Sequence, residues 1–360
     1  MTYITQYTAS TCNNKHSANE FRRKDVMKRE RVNNAIHHQQ TNVVPYNIEL
    51  TNDELKKVLV YLKMDKKEFD DWVGNYFDKI NYNIGGTFIK PGYFKDEYGV
   101  IWNRSGLDKD IGNIDELLLK EPDIKGFEFP EVNEDAIRKI TEKILSNGKD
   151  TIKLGKIGLA YYERAWSLRG MENLLMDFLT EQKFVEELFD RILQYNIKII
   201  DIALQYDIDG FYFGDDYGQQ NGLIMSPQVW RKFIKPGLAK MFDRIKSSGR
   251  VVALHSCGNI IDLFGDMIDI GLDIYQTFQP EIYDLKQVKA EYGNKLTFWG
   301  GISTQQTLPY VKPYELKEIV KETMEIMSVN GGYIAAPTHR VPADVPVENI
   351  VALIETLKEQ

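Results

Sequence analysis

His255 and Cys257 stand two positions apart in His255-Ser256-Cys257-Gly258, directly after the apolar run Val251-Val252-Ala253-Leu254. Imidazole nitrogen and thiolate sulfur are donors that zinc prefers. The chain holds only 2 cysteines and 5 histidines, so composition does not account for their pairing. Residues i and i+2 share a face of a strand, and just past its end a loop can turn both toward one point. The pair is half a site, because zinc takes a third protein ligand and keeps a fourth position open where it is catalytic. His339, in Thr338-His339-Arg340, is the expected third ligand, with Asp215, Asp216 and Glu163 as the alternatives.

The elements around these residues alternate. The hydrophobic pattern predicts strands at 43–48, 84–88, 151–160, 210–213, 250–254, 273–277, 296–300 and 332–336. Helices are expected at 25–38, 52–80, 133–147, 171–205, 227–247, 260–269, 284–292, 313–328 and 347–358, and a hairpin over 92–104. Ser226-Pro227 places proline at the first position of one of these helices. Strands alternating with helices imply parallel pairing through right-handed crossovers. Eight strands at this length favour a (β/α)8 barrel with an N-terminal helical extension over a doubly wound sheet. The organisation expected is an irregular segment at 1–24 followed by one barrel domain over 25–360.

In such a barrel the active site lies at the C-terminal ends of the strands. Reading those ends in order gives Glu49, then Glu163 within Tyr161-Tyr162-Glu163-Arg164-Ala165-Trp166, then Asp215-Asp216. His255 and Cys257 follow, then Gln276 and Gln279, then His339 and Arg340. Adjacent carboxylates such as Asp215 and Asp216 raise one another's pKa when they share a site. Neighbouring residues point apart, however, so one of the two is expected in the cavity and the other at a helix cap or an arginine.

Composition narrows the field. A net charge of −8 argues against a nucleic-acid surface. No apolar run reaches the ~18 residues that cross a bilayer, and the N-terminus has no apolar core of the secretory kind. Two distant cysteines, Cys12 and Cys257, fit a reducing cytoplasm better than a disulfide framework. No dinucleotide, Walker, HExxH or GxSxG motif is present. Self-association as a homodimer is compatible with the sequence.

Several segments together resemble the uroporphyrinogen decarboxylase superfamily. They are Gly214-Asp215-Asp216-Tyr217-Gly218-Gln219-Gln220, Ser226-Pro227 with Phe233-Ile234-Lys235-Pro236, His255-Ser256-Cys257-Gly258, Trp299-Gly300-Gly301-Ile302 and Pro346-Val347-Glu348-Asn349-Ile350. Tyr162-Glu163-Arg164-Ala165-Trp166 and Arg169-Gly170-Met171-Glu172-Asn173-Leu174 belong to the same pattern. The resemblance implies a (β/α)8 barrel and one of two activities. The decarboxylase branch grips porphyrinogen carboxylates with N-terminal arginines, where this chain has Tyr46-Asn47-Ile48-Glu49-Leu50. The other branch comprises cobamide-dependent methyltransferases, whose zinc is held by a His-x-Cys pair and a late Cys. Here His255 and Cys257 match the pair, and His339 stands at the late position. That branch implies zinc and a corrinoid (methylcobalamin) carried by a partner corrinoid-binding protein, with methyl transfer to or from a small thiol or methyl-ether substrate. Asp216, Glu163 and Tyr212 would then supply acid or orienting contacts, and Glu49, Asp215, Gln276, Gln279 and Arg340 substrate contacts. A carboxy-lyase acting on a tetrapyrrole or another acid is the alternative.

Overall fold

The structure, a computed structural model, describes residues 28–106 and 112–360. The expected irregular segment 1–24 lies outside the described residues. Seven parallel strands form one sheet in sequence order: β1 (Phe77–Asn81), β2 (Ile152–Ile157), β3 (Gly210–Gly214), β4 (Val251–His255), β5 (Ile274–Thr277), β6 (Thr297–Ile302) and β7 (Tyr333–Pro337). Helices connect successive strands, so all strands run the same way and their C-terminal ends share one rim. The sheet is curled: Phe77 on β1 stacks on Trp299 of β6, with ring centroids 4.3 Å apart, although four strands separate them in the order.

The segment expected as the first strand, 43–48, joins no continuous ladder. It bridges the two edges instead. Tyr46 pairs with Ala335 of β7 and Leu50 with Val341, while the Tyr76 amide donates to the Tyr46 carbonyl at 3.3 Å. Pro45 has no amide to give a ladder. At Ile48 the Asn75 side chain stands in for a strand, accepting from its N–H and donating to its carbonyl, both at 2.8 Å.

Two further expectations are corrected. The 52–80 region is not one helix but Asn52–Leu62 and Lys66–Val73, followed by β1. Lys63 turns left-handed, and Asp65 restarts the chain with a capping box to Glu68. The β1 sequence Phe-Asp-Lys-Ile-Asn places Phe77, Lys79 and Asn81 on one face, the alternation a helical reading hides. The 84–88 strand is not in the sheet either. Its end enters an antiparallel meander, Thr87–Lys90, Tyr93–Lys95, Ile101–Asn103 and Asn113–Ile114, of which the expected hairpin is the middle.

The 171–205 helix divides at Glu181 into Met171–Thr180 and Gln182–Ala203. The loop expected after β2 holds a helix, Tyr162–Arg169. The remaining described strands and helices lie within two residues of expectation, save that the strand expected at 151–160 ends at Ile157, that the 260–269 helix begins as a 3-10 turn at Ile261–Leu263 and that Trp230–Ile234 is a π-helical turn; residues 25–27 of the first expected helix lie outside the described residues. Pro236, without an amide, explains that π turn.

Candidate metal centre and its cavity

The curled sheet opens at the strands' C-terminal rim into a cavity of about 540 Å³. Inward positions alternate along each strand: Lys79 and Asn81 from β1, Lys156 from β2, Tyr212 and Gly214 from β3, His255 from β4, Gln276 from β5 and Trp299 from β6 all line it. Cys257, Asp216, Glu49, His339 and Arg340 reach it from the loops, and Glu163 from the first turn of the Tyr162–Arg169 helix.

His255 is the last residue of β4 and lies in register with Gln276 of β5. Their side chains therefore meet, and the His255 Nδ1 hydrogen-bonds to Gln276 Oε1. Tyr212 OH donates to the same oxygen at 2.9 Å. An amide oxygen only accepts, so His255 carries its proton on Nδ1 and presents a bare Nε2. That nitrogen is 3.5 Å from Cys257 Sγ. Zinc bonds of roughly 2.0 Å to nitrogen and 2.3 Å to sulfur at a tetrahedral angle put the two donors about 3.6 Å apart, so the pair has the spacing of one coordination edge. His339 completes the set: the donor atoms of His255, Cys257 and His339 all lie within 4.8 Å of one another. Burial, with His339 adding to it, lowers His255 to about 4, which keeps the ring neutral as a ligand must be. Burial and the Asp216 and Glu163 carboxylates push the Cys257 thiol up, so a cation entering here displaces a proton.

The donors are held from behind. Gln276 Nε2 donates to the Thr338 carbonyl at 3.2 Å, so one amide side chain ties β5 both to His255 and to the loop bearing His339. Asp216 Oδ1 accepts the Cys257 amide at 2.8 Å. Tyr275 and Tyr283 hydroxyls bond the Gly258 carbonyl. Gly258 has φ +78°, and a Cβ there would sit 2.2 Å from the backbone of Gly218, so this loop crossing requires glycine. Gln276→Leu keeps the volume but frees the imidazole tautomer. Zinc affinity measured against a chromogenic chelator is expected to fall ten- to a hundredfold.

The strand-end acids separate as adjacent residues should. Asp215 does not touch the cavity. Its carboxylate accepts the amides of Tyr161, Tyr162 and Glu163 at the start of the Tyr162–Arg169 helix, and the Tyr217 hydroxyl. A buried carboxylate at a helix N-terminus is a capping group, which corrects the expectation that Asp215 contacts substrate. Gln279 is corrected too: it is buried, with Oε1 accepting from Gly258 N at 3.3 Å, and does not line the cavity. Asp216 does line it, 3.7 Å from His255 Nε2. Glu163 faces the same space, and burial together with Asp216 and Asp215 raises its pKa well above that of an ordinary carboxyl, which favours its protonated form.

On the opposite wall stand Glu49 and Arg340, as expected, together with Lys79 and Lys156, which were not read from the sequence. Lys79 pairs with Glu49 at 2.5 Å and lies over the rings of Tyr212 and Trp299, 4.2 and 5.0 Å from their centroids. Arg340 approaches Glu49 at 3.7 Å. Despite burial, Lys79, Lys156 and Arg340 hold Glu49 down to about 2. Lysines at 153 and 156 inside an otherwise apolar strand were the available signal. The meander supplies Phe94, Trp102 and Arg104 to the rim. It is anchored by Arg164, whose guanidinium bonds Asp96 at 2.6 Å and Glu97 at 2.9 Å.

Fold and site together define a parallel α/β protein with a cavity at its strand ends and a three-donor centre suited to zinc. A sequence model described as uroporphyrinogen decarboxylase (URO-D) matches residues 129–360. The chain belongs to this family. Methylcobamide:CoM methyltransferase MtaA of Methanosarcina barkeri is 29% identical over 137 residues, and MtaA of M. barkeri strain Fusaro is 27% identical over the same length. In each case the match covers 38% of this chain and 38% of the relative, so the chain spans well under half the length of the curated relatives it matches. The solved structure of a methyltransferase from Methanosarcina mazei shares the fold, with a TM-score of 0.69 and 19% identity over 92% of this chain and 98% of that one.

Proposed function

We propose that this chain is a zinc-dependent methyltransferase that moves a methyl group between a corrinoid carried by a partner protein and a small thiol or methyl-ether substrate. The observation that carries the reading is the convergence of His255, Cys257 and His339 donors within 4.8 Å at the cavity rim. The relatives named as methylcobamide:CoM methyltransferases support it. We take the seven strands and the bridging segment 44–50 as the eight staves of a (β/α)8 barrel forming one domain from about residue 25. The free Cys257 thiol suits a reducing cytoplasm, and no helix among the described residues is long and apolar enough to cross a membrane.

His255, Cys257 and His339 would hold the zinc, leaving the fourth position to the cavity. Bound there, zinc supplies positive charge that acidifies a thiol or polarises an ether oxygen. The chain's own residues do the rest. Tyr212 and Gln276 fix the direction of the His255 Nε2 lone pair. Asp216, on the Cys257 amide, holds the sulfur loop and can take the proton that a thiol releases. Glu163, whose burial favours the protonated form, can return a proton to an oxygen that has given up its methyl group. Meander residues Phe94 and Trp102 add apolar surface to the cavity wall.

The test joins metal and activity. Protein purified without chelator is expected to contain close to one zinc per chain by mass spectrometry of the elements. It is also expected to demethylate methylcobalamin with at least one member of a panel of small thiols, or to methylate Co(I) corrinoid from a methyl ether. Preparations repeatedly free of zinc, and inactive after zinc is added, sink the reading.

A further inference from the structure

Among the described residues, His38, Lys63, Leu159, Phe278 and Asn330 have a positive φ without being glycine. His38 and Lys63 follow the ends of helices, and asparagine adopts this backbone readily. Phe278, with φ +35°, is wholly buried. Its ring centroid is 4.4 Å from that of Phe298 and 5.4 Å from that of Tyr283, so packing offsets the strain. Leu159, with φ +49°, has neither explanation: it stands two residues past β2 and is only partly buried. A left-handed leucine is strained where glycine is not. At Gly258 and Gly301, on the same rim, positive φ falls to glycine.

The turn at Leu159 is held from both sides. Gly158 N donates to Asn83 Oδ1 at 2.7 Å, and the Gly158 carbonyl accepts from Asn83 Nδ2 at 2.9 Å. Ala160 N donates to the Gly214 carbonyl at 2.9 Å. These bonds would hold a glycine at 159 equally well, so the backbone does not account for the leucine. The cavity does, because Leu159 lines it. Strain kept at such a position points to function rather than to folding.

Asn83 Nδ2 also donates to Glu97 Oε1 at 3.1 Å, which ties the Leu159 turn to the meander. Leu159 therefore stands on the meander's side of the cavity, where Phe94 and Trp102 supply apolar lining. The cavity's volume of about 540 Å³ falls in the range, roughly 300–1,000 Å³, that encloses ligands much larger than a two-carbon thiol.

We propose that Leu159 is a specificity-determining residue, and that the substrate carries, beyond its reacting sulfur or oxygen, a bulky hydrocarbon body that packs against the Leu159 side chain. The reacting end rests on the function proposed above; the apolar contact does not.

Thiols that differ in their hydrocarbon test this directly. In calorimetric titration of the zinc-loaded chain, phenylmethanethiol is expected to bind about tenfold more weakly to Leu159→Gly than to the wild type, as loss of a leucine contact implies. The shorter 2-mercaptoethanol should bind both alike. Leu159→Met, which restores an apolar side chain, should recover most of the loss. Phenylmethanethiol bound alike by wild type and Leu159→Gly, or an equal loss for both thiols, overturns the proposal.

Melting temperatures separate strain from packing. Leu159→Gly releases the left-handed strain and Leu159→Ala keeps it, so the glycine variant should melt several degrees above the alanine variant. The opposite order removes the premise. Phenylmethanol, which has no thiol, separates the contact from the metal. Its binding to the zinc-free chain, weakened in Leu159→Gly, supports the contact even if no methyl transfer is found. Failure to bind there at millimolar concentrations, or binding unchanged in the variant, counts against it whatever the activity of the zinc-loaded protein.

Discussion

Cys257→Ala is expected to leave a folded chain that retains less than a hundredth of the wild-type zinc affinity and has no measurable methyl transfer. The side chain is small and partly exposed to the cavity, so its removal opens little core. What is lost is the one sulfur of a three-donor set. Four-ligand structural zinc sites bind with about 10–16 kcal/mol, so one ligand carries roughly 3 kcal/mol, more than a hundredfold in affinity. Competition with a chelator of known affinity measures the change, and thermal melting of the metal-free proteins shows whether the fold is intact. Zinc bound as tightly in the variant as in the wild type would remove Cys257 from the centre. His255→Ala should show the same loss. His339→Ala should too, and a normal zinc content there would assign the third position to Asp216 or to water.

Arg164→Met is the second large effect, and it concerns stability. The guanidinium is 2% exposed and joins Asp96 and Glu97, 5% and 7% exposed, while stacking 4.2 Å from the Tyr98 ring centre. Asp96 in turn holds the meander's own turn, accepting from the amides of Tyr98 and Val100 and from Trp102 Nε1. Methionine preserves most of the volume but leaves two buried carboxylates without their cation. Breaking such a pair by removing one partner costs about 3–5 kcal/mol. The deficit should narrow as the pH falls, because the stranded carboxyls take up protons in the folded variant and shed the cost of buried charge. Urea unfolding at two pH values gives the magnitude and the sign. Amide exchange should show residues 93–103 losing protection first, with zinc content unchanged. A stability within about 1 kcal/mol of wild type would mean that the meander is held by its apolar contacts instead.

How much of this was legible in the sequence depended on whether a residue's neighbours share its stretch of chain. Strands β3 to β7 follow one pattern, an apolar run ended by polar residues, and their ends were placed to within two residues. The grouping of His255, Cys257 and His339 could be read because His255 and Cys257 lie two positions apart and the rim rule brings His339 to them. Asp215 and Asp216 were separable by the rule that neighbours point apart, though not which of them would cap a helix. The first two strands were hidden for local reasons. Pro45 breaks the ladder at 43–48, and the bonds at Ile48 come from the Asn75 side chain, which no strand pattern encodes. β1 follows a helix so closely that its five residues passed for the helix's last turn. With β1 mistaken, Lys79 was lost, and with it the meaning of Lys156 and Glu49. Arg164 gave no signal, since its partners lie 67 and 68 positions earlier in the chain.

The cavity's walls come from two stretches of chain. Residues 129–360, the stretch that matches the family, carry His255, Cys257, His339, Glu163, Asp216 and Lys156. Glu49, Lys79, Phe94, Trp102 and Arg104 come from the stretch before it. No local segment holds both walls, so the enclosure exists only once the sheet has curled and brought the first strand against the last ones.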